Sequence, residues 1–371
     1  MKNMSKILIV LLIFVFASVG LTAELTPEQR AKIQVLDTSK IQTPSERINT
    51  NLDGVFSENY GNYYYTEGKA DQALNEYLDA VKKYTGTDKE PSIHFKIGLC
   101  YEALHKDKEA MDKYREILTK YPNSREIPEA RYHLAGCYNN NALTSKTPAQ
   151  KDKAIEEYNK IISEYFPGKT NSYLLASTFS SLGGCYKAGH QLTDKSREYF
   201  QKAIDCIKNA TDVSEKIRLS FIGEQYIELE QYDQAIAACQ AEVEKFGPDA
   251  LTIFHLGYIF LEQGNLKKAI EKFNQALSLK PSDNVKGMIY CHTGICYFKM
   301  EKFSEAAESF QMAADSKPMN WIMPTIYYWL GRSFMSSGKG PEAKEVFNTL
   351  INNYPESEYV PEAKIYAKSI K

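Results

Sequence analysis

The clearest repeat unit of the chain covers residues 254–281 and reads FHLGYIFLEQGNLKKAIEKFNQALSLKP. In this unit Gly257 is followed three places on by Phe260, and Ala269 is followed four places on by Phe273. Spacings of three and four put both members of each pair on one face of an α-helix. We therefore predict two helices that cross at Gly257, where the missing side chain lets them approach closely.

The same order of residues occurs eight times along the 371-residue chain. The first small residues of the eight copies are Gly61, Gly98, Ala135, Gly183, Gly223, Gly257, Gly294 and Gly331. Between the two helices of a copy, glycines such as Gly68, Gly264 and Gly338 are typical of left-handed helix ends. A period near 37 residues with two helices in each period predicts a solenoid, in which each repeat packs on its neighbours.

This pattern resembles the tetratricopeptide repeat, whose first helix carries Gly-x-x-Tyr and whose second carries Ala-x-x-x-Phe-x-x-Ala. The resemblance covers residues 45–356 and implies an all-α, right-handed superhelical solenoid of about eight helix-turn-helix repeats. Residues 357–371 are predicted to form a helix that caps the last repeat. A polar stretch at 139–153 lengthens the turn of the third repeat. It indicates either an edge loop or a boundary between sub-blocks 45–168 and 169–356.

Residues 1–23 have the order of a secretory signal peptide. Lys2 and Lys6 are followed by an apolar run from Ile7 and by Leu21-Thr22-Ala23. The alternative, an uncleaved anchor, needs a longer apolar run of about 20 residues. Cys100 is the first cysteine, so no lipid-attachment cysteine follows the run. We expect a cleaved, exported protein, periplasmic or otherwise extracytoplasmic, with an N-terminal extension at 24–44 and no stable membrane insertion.

Two junctions between repeats share a second pattern. Tyr121-Pro122-Asn123-Ser124 is followed by Pro128-Glu129-Ala130, and Tyr354-Pro355-Glu356-Ser357 is followed by Pro361-Glu362-Ala363. Such junctions resemble those of bacterial envelope repeat proteins of the outer-membrane assembly lipoprotein and Tol-Pal-associated types. The resemblance implies an envelope location.

The ionisable residues exclude two classes of function. The chain has 45 basic and 47 acidic residues, a net charge of −2 that becomes −4 without Lys2 and Lys6, so nucleic acid is not an expected partner. None of the six histidines belongs to a catalytic motif, so we predict no enzyme and no cofactor. These histidines are His94, His105, His133, His190, His255 and His292.

The seven cysteines are predicted to be small buried side chains. Four of them lie two places after the small residue of a repeat: Cys100, Cys137, Cys185 and Cys296. The alternative is a zinc site with ligands Cys291, His292 and Cys296. Because residues five apart on a helix point in different directions and no CxxC pair is present, we predict no metal site.

The resemblance also indicates where a partner would bind. In tetratricopeptide repeats the concave wall is lined by positions two, five, nine and twelve of each first helix, with the small residue at eight. In the last three repeats these positions are mostly apolar, whereas around Glu129–Asn139 and Ser177–Lys187 they are polar or small. The cations on this concave wall are Lys187, Lys299 and Arg332, and they lie far apart along the repeats. We therefore predict no clamp of matched cations for the acidic C-terminus of a partner. The predicted partner-binding groove consists of Phe254, Tyr258, Leu261, Ile295, Phe298, Tyr328, Arg332 and Met335.

Two classes of function follow from these observations. The first is a non-enzymatic scaffold or adaptor in the bacterial cell envelope that holds a peptide or helix of a protein partner in the groove. The alternative is a structural subunit of a homo-oligomeric envelope assembly, with the groove buried between copies.

Overall fold

The computed structural model describes residues 52–104, 106–145, 148–165, 171–189, 191–316, 318, 322–355 and 357–370. The predicted signal peptide, the extension at 24–44 and the start of the predicted solenoid at 45–51 lie outside the described residues, as do His105 and His190. None of the described helices is both long enough and apolar enough to span a bilayer.

The described residues form eight consecutive helix pairs and one final helix. The pairs are α1 Leu52–Thr66 and α2 Ala70–Tyr84, α3 Glu90–Ala103 and α4 Asp107–Lys120, α5 Ile127–Ser145 and α6 Pro148–Tyr165, α7 Ser172–Tyr186 and α8 Asp194–Lys208, α9 Glu215–Glu228 and α10 Tyr232–Phe246, α11 Ala250–Glu262 and α12 Leu266–Ser278, α13 Asp283–Lys299 and α14 Phe303–Asp315, and α15 Met323–Ser336 and α16 Gly340–Asn353. Helix α17, Val360–Ser369, follows the last pair. The predicted solenoid and its capping helix are confirmed.

In six of the eight described helix pairs, a glycine of the first helix faces an aromatic ring of the second. A Cβ atom added to Gly257 would lie 2.5 Å from Cε1 of Phe273, closer than side chains can approach. Both residues are buried. The same opposition occurs in five further pairs: Gly61 with Tyr77, Gly98 with Tyr114, Gly183 with Phe200, Gly294 with Phe310 and Gly331 with Phe347. The spacing recognised in the sequence is thus the helix crossing itself.

In the first repeat and in the fifth to eighth repeats, the turn between the two helices is fixed by a backbone hydrogen bond and by a left-handed residue. In the sixth repeat the Asn265 N–H donates to the Phe260 carbonyl over 2.8 Å, and the Asn265 side chain caps α12. Gly264 has a φ of 78°, as predicted for a glycine helix end. In the fifth and seventh repeats Glu230 and Glu301 occupy this conformation, each with a φ of 59°.

The polar stretch at 139–153 differs from the sequence prediction. Helix α5 continues to Ser145 and α6 begins at Pro148, so the inserted residues lengthen two helices to 19 and 18 residues instead of the turn. One hydrophobic cluster includes Tyr158 of α6 together with Leu182 and Cys185 of α7. The helices on either side of the boundary predicted near residue 168 therefore share a core.

The capping helix closes the last repeat. Ala363 and Ala367 of α17 are buried in one cluster with Phe347 and Leu350 of α16. The Phe347 ring lies 5.5 Å from the ring of Tyr366, between centroids. The apolar face that a further repeat would otherwise cover is thus covered by α17.

The cysteines are free thiols, and all except the partly exposed Cys206 are buried. Burial raises the pKa of the Cys185 thiol to about 11 and that of Cys296 to about 12, which keeps both protonated at neutral pH. These cysteines act as the small apolar side chains that the sequence predicts.

The glycine–aromatic crossing can be tested with a matched pair of substitutions. Gly257→Ala is expected to lower the free energy of unfolding by about 1–3 kcal/mol, because the new methyl group overlaps Phe273. Gly223→Ala is the control, since its added Cβ would lie 3.6 Å from Ala238 and Cys239, at ordinary contact distance. The control should be neutral or stabilising by up to about 1 kcal/mol through helix propensity. Urea denaturation followed by circular dichroism measures the free energy of unfolding of both variants. Equal decreases in the two variants would contradict the proposal that the glycine–aromatic contact fixes the helix crossing.

Candidate partner-binding groove

The first helices of the last four repeats lie side by side and form one wall of the solenoid. Helix α9 contacts α11, α11 contacts α13, and α13 contacts α15. Contacts between side chains follow this order: the Tyr258 ring of α11 lies 5.4 Å from the His292 ring of α13, and the Phe298 ring of α13 lies 5.0 Å from the Trp329 ring of α15. We call this surface, at positions two, five, nine and twelve of α9, α11, α13 and α15, the groove wall.

Three of the eight predicted groove residues are part of the core. Phe254, Leu261 and Tyr328 are 4%, 2% and 5% exposed. The Phe254 ring lies between Phe273, 5.7 Å away, and His292, 5.2 Å away. These three side chains support the wall from beneath and offer no free surface to a partner. The neighbouring repeat covers Phe254 and Leu261, and the segment of Tyr359 and α17 covers Tyr328.

The other five predicted residues are half-buried on the wall: Tyr258, Ile295, Phe298, Arg332 and Met335. The apolar members pack sideways on the cores of the sixth to eighth repeats and keep part of their surface outside. This partial exposure, repeated over consecutive first helices, is the geometry of a surface that can take a ligand.

Arg332 lies among aromatic rings at the C-terminal end of the groove wall. Its guanidinium carbon is 5.3 Å from the ring centroids of both Phe298 and Trp329, and 5.8 Å from those of Tyr328 and Tyr366. Such distances give favourable cation–π interactions. The sequence register identified Arg332 and Phe298. It did not identify Trp329, at position six, or Tyr366, in the capping helix.

Hydrogen bonds around Arg332 fix the rings but leave the guanidinium without a carboxylate. Arg332 Nη1 donates to the Tyr328 hydroxyl over 3.3 Å, and that hydroxyl donates to Glu362 of α17. Within the described part of the chain, no carboxylate lies within 4.0 Å of Arg332, and its Nε is buried without a hydrogen-bond partner. By contrast, Arg115 is paired with Asp112 at 3.0 Å.

A carboxylate that the sequence analysis missed lies at the other end of the wall. Glu224 occupies position nine of α9 and is half-buried. Burial, together with the negative charges of Glu242 and Glu228, raises the pKa of its carboxyl group from 4.5 to about 7. Lys187, one of the predicted concave cations, pairs with Glu228 instead. In the sequence analysis, positions were not counted in the fifth repeat, in which Cys239 replaces the second aromatic residue. Counting from Gly223 at position eight identifies Glu224 at position nine.

Between these ends lie Tyr258, on the groove wall, and the neighbouring His292, at position six of α13. Burial raises the pKa of the Tyr258 hydroxyl to about 12, helped by the carboxylates of Glu262 and Glu228. His292 Nδ1 is hydrogen-bonded to the Met288 carbonyl at 2.8 Å. Its pKa is lowered by burial, so the ring is neutral at pH 7. The centre of the wall is therefore uncharged.

The walls of the third and fourth repeats are polar or lack side chains, as the sequence indicates. Gly136 and Gly184 occupy position nine of α5 and α7, and a Cβ on Gly184 would meet no atom within 4 Å. The hydroxyls of Tyr132 and Ser181 lie 3.3 Å apart across the two helices. This part of the surface has no aromatic anchor at position nine.

The residues of the zinc alternative point away from one another. Cys291 belongs to the core shared with α14 and α15, whereas Cys296 belongs to the core shared with α11 and α12. Across the described ranges, no three His, Cys, Asp or Glu side chains come close enough to bind a metal ion.

The raised pKa of Glu224 predicts a pH-dependent cost to folding. Because the folded pKa lies above the unfolded value, the protonated group stabilises the fold below about pH 4.5, and this contribution is lost as the pH rises through about 7. Glu224→Gln should therefore stabilise the protein at pH 8, by at most about 3 kcal/mol, with the difference vanishing near pH 4.5. Thermal unfolding at several pH values measures this. Glu228→Gln is the control and should not stabilise, because Glu228 is paired with Lys187. A pH-independent effect of Glu224→Gln would contradict the prediction.

Comparison with known proteins supports the repeat. A family model described as tetratricopeptide repeat matches residues 61–125 and 222–284, and a second model with the same description matches 326–357. The chain is similar to the anaphase-promoting complex subunit CDC16 of Saccharomyces cerevisiae, with 29% identity over 93 residues. That match covers 24% of this chain and only 11% of CDC16.

Two solved structures are similar over most of the chain. A tetratricopeptide repeat protein from Parabacteroides merdae has a TM-score of 0.42 and 14% identity, over 85% of this chain and 98% of its own. A monomeric mutant of IFIT1 with m7Gppp-AAAA has a TM-score of 0.48 and 14% identity, over 82% of this chain and 70% of its own. The family models describe the repeat alone and name no envelope protein. The helix pairs and the matched segments together show that this chain contains tetratricopeptide repeats.

Proposed function

We propose that this protein is a non-enzymatic scaffold that holds a segment of a protein partner on the groove wall of its last four repeats. Tetratricopeptide repeats generally serve protein–protein interaction. The observation that carries the proposal is the continuous set of half-buried side chains Tyr258, Ile295, Phe298, Arg332 and Met335. Aromatic and arginine side chains in partly desolvated positions are the residues that contribute most to protein interfaces.

The location of the proposed groove agrees with the rest of the surface. The equivalent wall of the third and fourth repeats carries Gly136 and Gly184 at position nine, so it offers no anchor for apolar side chains. On the second helices, exposed apolar side chains such as Phe246 and Met312 are scattered singly, which is normal for a protein surface.

In-cell photo-crosslinking tests the scaffold function. A photoreactive residue at position 298 is expected to crosslink to one distinct protein, identified by mass spectrometry, whereas one at position 246, on α10, should not. Phe298→Ala should reduce capture of that partner by tenfold or more, as expected for a central aromatic anchor worth about 2 kcal/mol. Phe246→Ala is the control, because this phenylalanine is 44% exposed and lies on a second helix, which does not form the groove wall. A crosslink to a second copy would favour the homo-oligomeric alternative, and no crosslink above background would contradict both.

We further propose that the scaffold acts outside the cytoplasm, in the bacterial cell envelope. The support is the signal-peptide pattern of residues 1–23 and the two Tyr-Pro junctions. Both junctions contain the same backbone hydrogen bond between serine and tyrosine. The Ser124 N–H donates to the Tyr121 carbonyl over 2.9 Å, and the Ser357 N–H donates to the Tyr354 carbonyl over 3.0 Å.

N-terminal sequencing of the protein from fractionated cells tests export. Cleavage after Ala23 predicts a mature chain that begins at Glu24 and is found in the extracytoplasmic fraction. A chain lacking residues 1–23 is the control and should stay in the cytoplasm. Recovery of the intact N-terminus from the cytoplasm would exclude the proposed location without affecting the groove.

A further inference from the structure

Position nine of the first helix forms one row along the groove wall in the last four repeats. From the fifth repeat to the eighth, this row reads Glu224, Tyr258, Ile295 and Arg332. All four side chains are half-buried. The row therefore begins with a carboxyl group, continues with one aromatic and one aliphatic side chain, and ends with a guanidinium.

The carboxyl end of the row has no cation of its own. Glu224 has no ion pair and no hydrogen bond within the described residues, and its charged neighbours Glu228 and Glu242 are also acidic. Lys187 and Lys216, which lie near the acidic neighbours Glu228 and Glu242, are themselves ion-paired: Lys187 with Glu228, and Lys216 with Asp249 at 3.2 Å. A basic side chain placed over Glu224 would meet a carboxylate that nothing in this part of the chain neutralises.

The guanidinium end has donors to spare. A guanidinium carries five N–H donors, and the structure gives Arg332 one hydrogen bond, to the Tyr328 hydroxyl. The rings of Phe298, Trp329 and Tyr366 contact the guanidinium and hold it in place. They do not accept hydrogen bonds from its remaining N–H groups, which point outward in the guanidinium plane. A planar, preorganised guanidinium of this kind suits a carboxylate, which it can bind through two parallel hydrogen bonds.

From this row we infer that the groove binds a partner segment of defined charge order, with a basic side chain on Glu224, two apolar side chains on Tyr258 and Ile295, and an acidic side chain on Arg332. The inference deepens the proposed scaffold function and rests on it. Neighbouring helices pack about 10 Å apart, so the charged ends are separated by roughly 30 Å. An extended peptide spans this distance with about nine residues.

The cost of removing both charged groups from water favours a partner with a defined charge order over one that is merely charged. Glu224 and Arg332 are half-buried and have no counter-charge in the free protein, so a partner that supplies both opposite charges offsets part of their desolvation cost. A segment that enters in the reverse direction places like charges together at both ends. The row therefore selects the direction of the bound segment as well as its composition.

Selection from a phage-displayed library of random dodecapeptides on the immobilised chain tests the inference. We expect enriched peptides to carry Lys or Arg and Asp or Glu about nine residues apart, with apolar residues between them. Selection on Arg332→Gln should remove the preference for Asp or Glu alone, and selection on Glu224→Gln should remove the preference for Lys or Arg alone. Peptides enriched on the unmodified protein should bind each of these two variants at least about tenfold more weakly. Lys267→Gln, at an exposed position of α12, is the control and should change neither preference.

The outcomes separate this inference from the proposed function. If enriched peptides are lost with Phe298→Ala but show no charge order, the groove binds peptides and the charge order is wrong. If no peptide is enriched, or if enriched peptides bind Phe298→Ala equally well, both proposals fail. Circular dichroism of each variant confirms that the helices are intact before selection.

Discussion

The contact on which the rest of the structure depends is the approach of a first-helix glycine to a second-helix aromatic ring. At Gly257 and at Gly331 a single added methyl group would lie within 2.6 Å of the facing phenylalanine. Because the glycine leaves no space for a side chain, this contact fixes the crossing point of the two helices in the six repeats that have it. Stacking then needs only nearest-neighbour contacts, which explains why one pattern of about 37 residues can generate the whole solenoid.

Fixing the crossing at position eight also determines which side chains are left for function. The residue at position nine points beside the crossing, toward the wall formed by consecutive first helices, and it is not needed to fill the core. Glycine is tolerated there in the third and fourth repeats, whereas the last four repeats carry Glu224, Tyr258, Ile295 and Arg332. The same scaffold can therefore change its ligand chemistry from repeat to repeat without changing its packing.

Much of the fold could be predicted from the sequence because the signal is local. The spacing of Gly257 and Phe273 and the glycine at 264 depend only on helix geometry, and the structure has both as predicted. The helical form of the stretch at 139–153 could not be predicted in this way, because its polar composition also suits a loop. The burial of Phe254 and Tyr328 likewise depends on the neighbouring first helix and on α17, which a register along one helix does not contain.

The capping helix connects stability and binding at one end of the molecule. Its Tyr366 packs on Phe347 of the last core and also lies near the Arg332 guanidinium. Tyr359, directly before α17, stacks on Tyr328 at 4.5 Å, and Glu362 accepts the Tyr328 hydroxyl proton in a hydrogen bond. The segment that keeps the last apolar face from water therefore also orients the only groove cation framed by aromatic rings in the described part of the chain. A solenoid end is usually treated as a device for solubility, but here its removal would uncover the core and release Arg332 together.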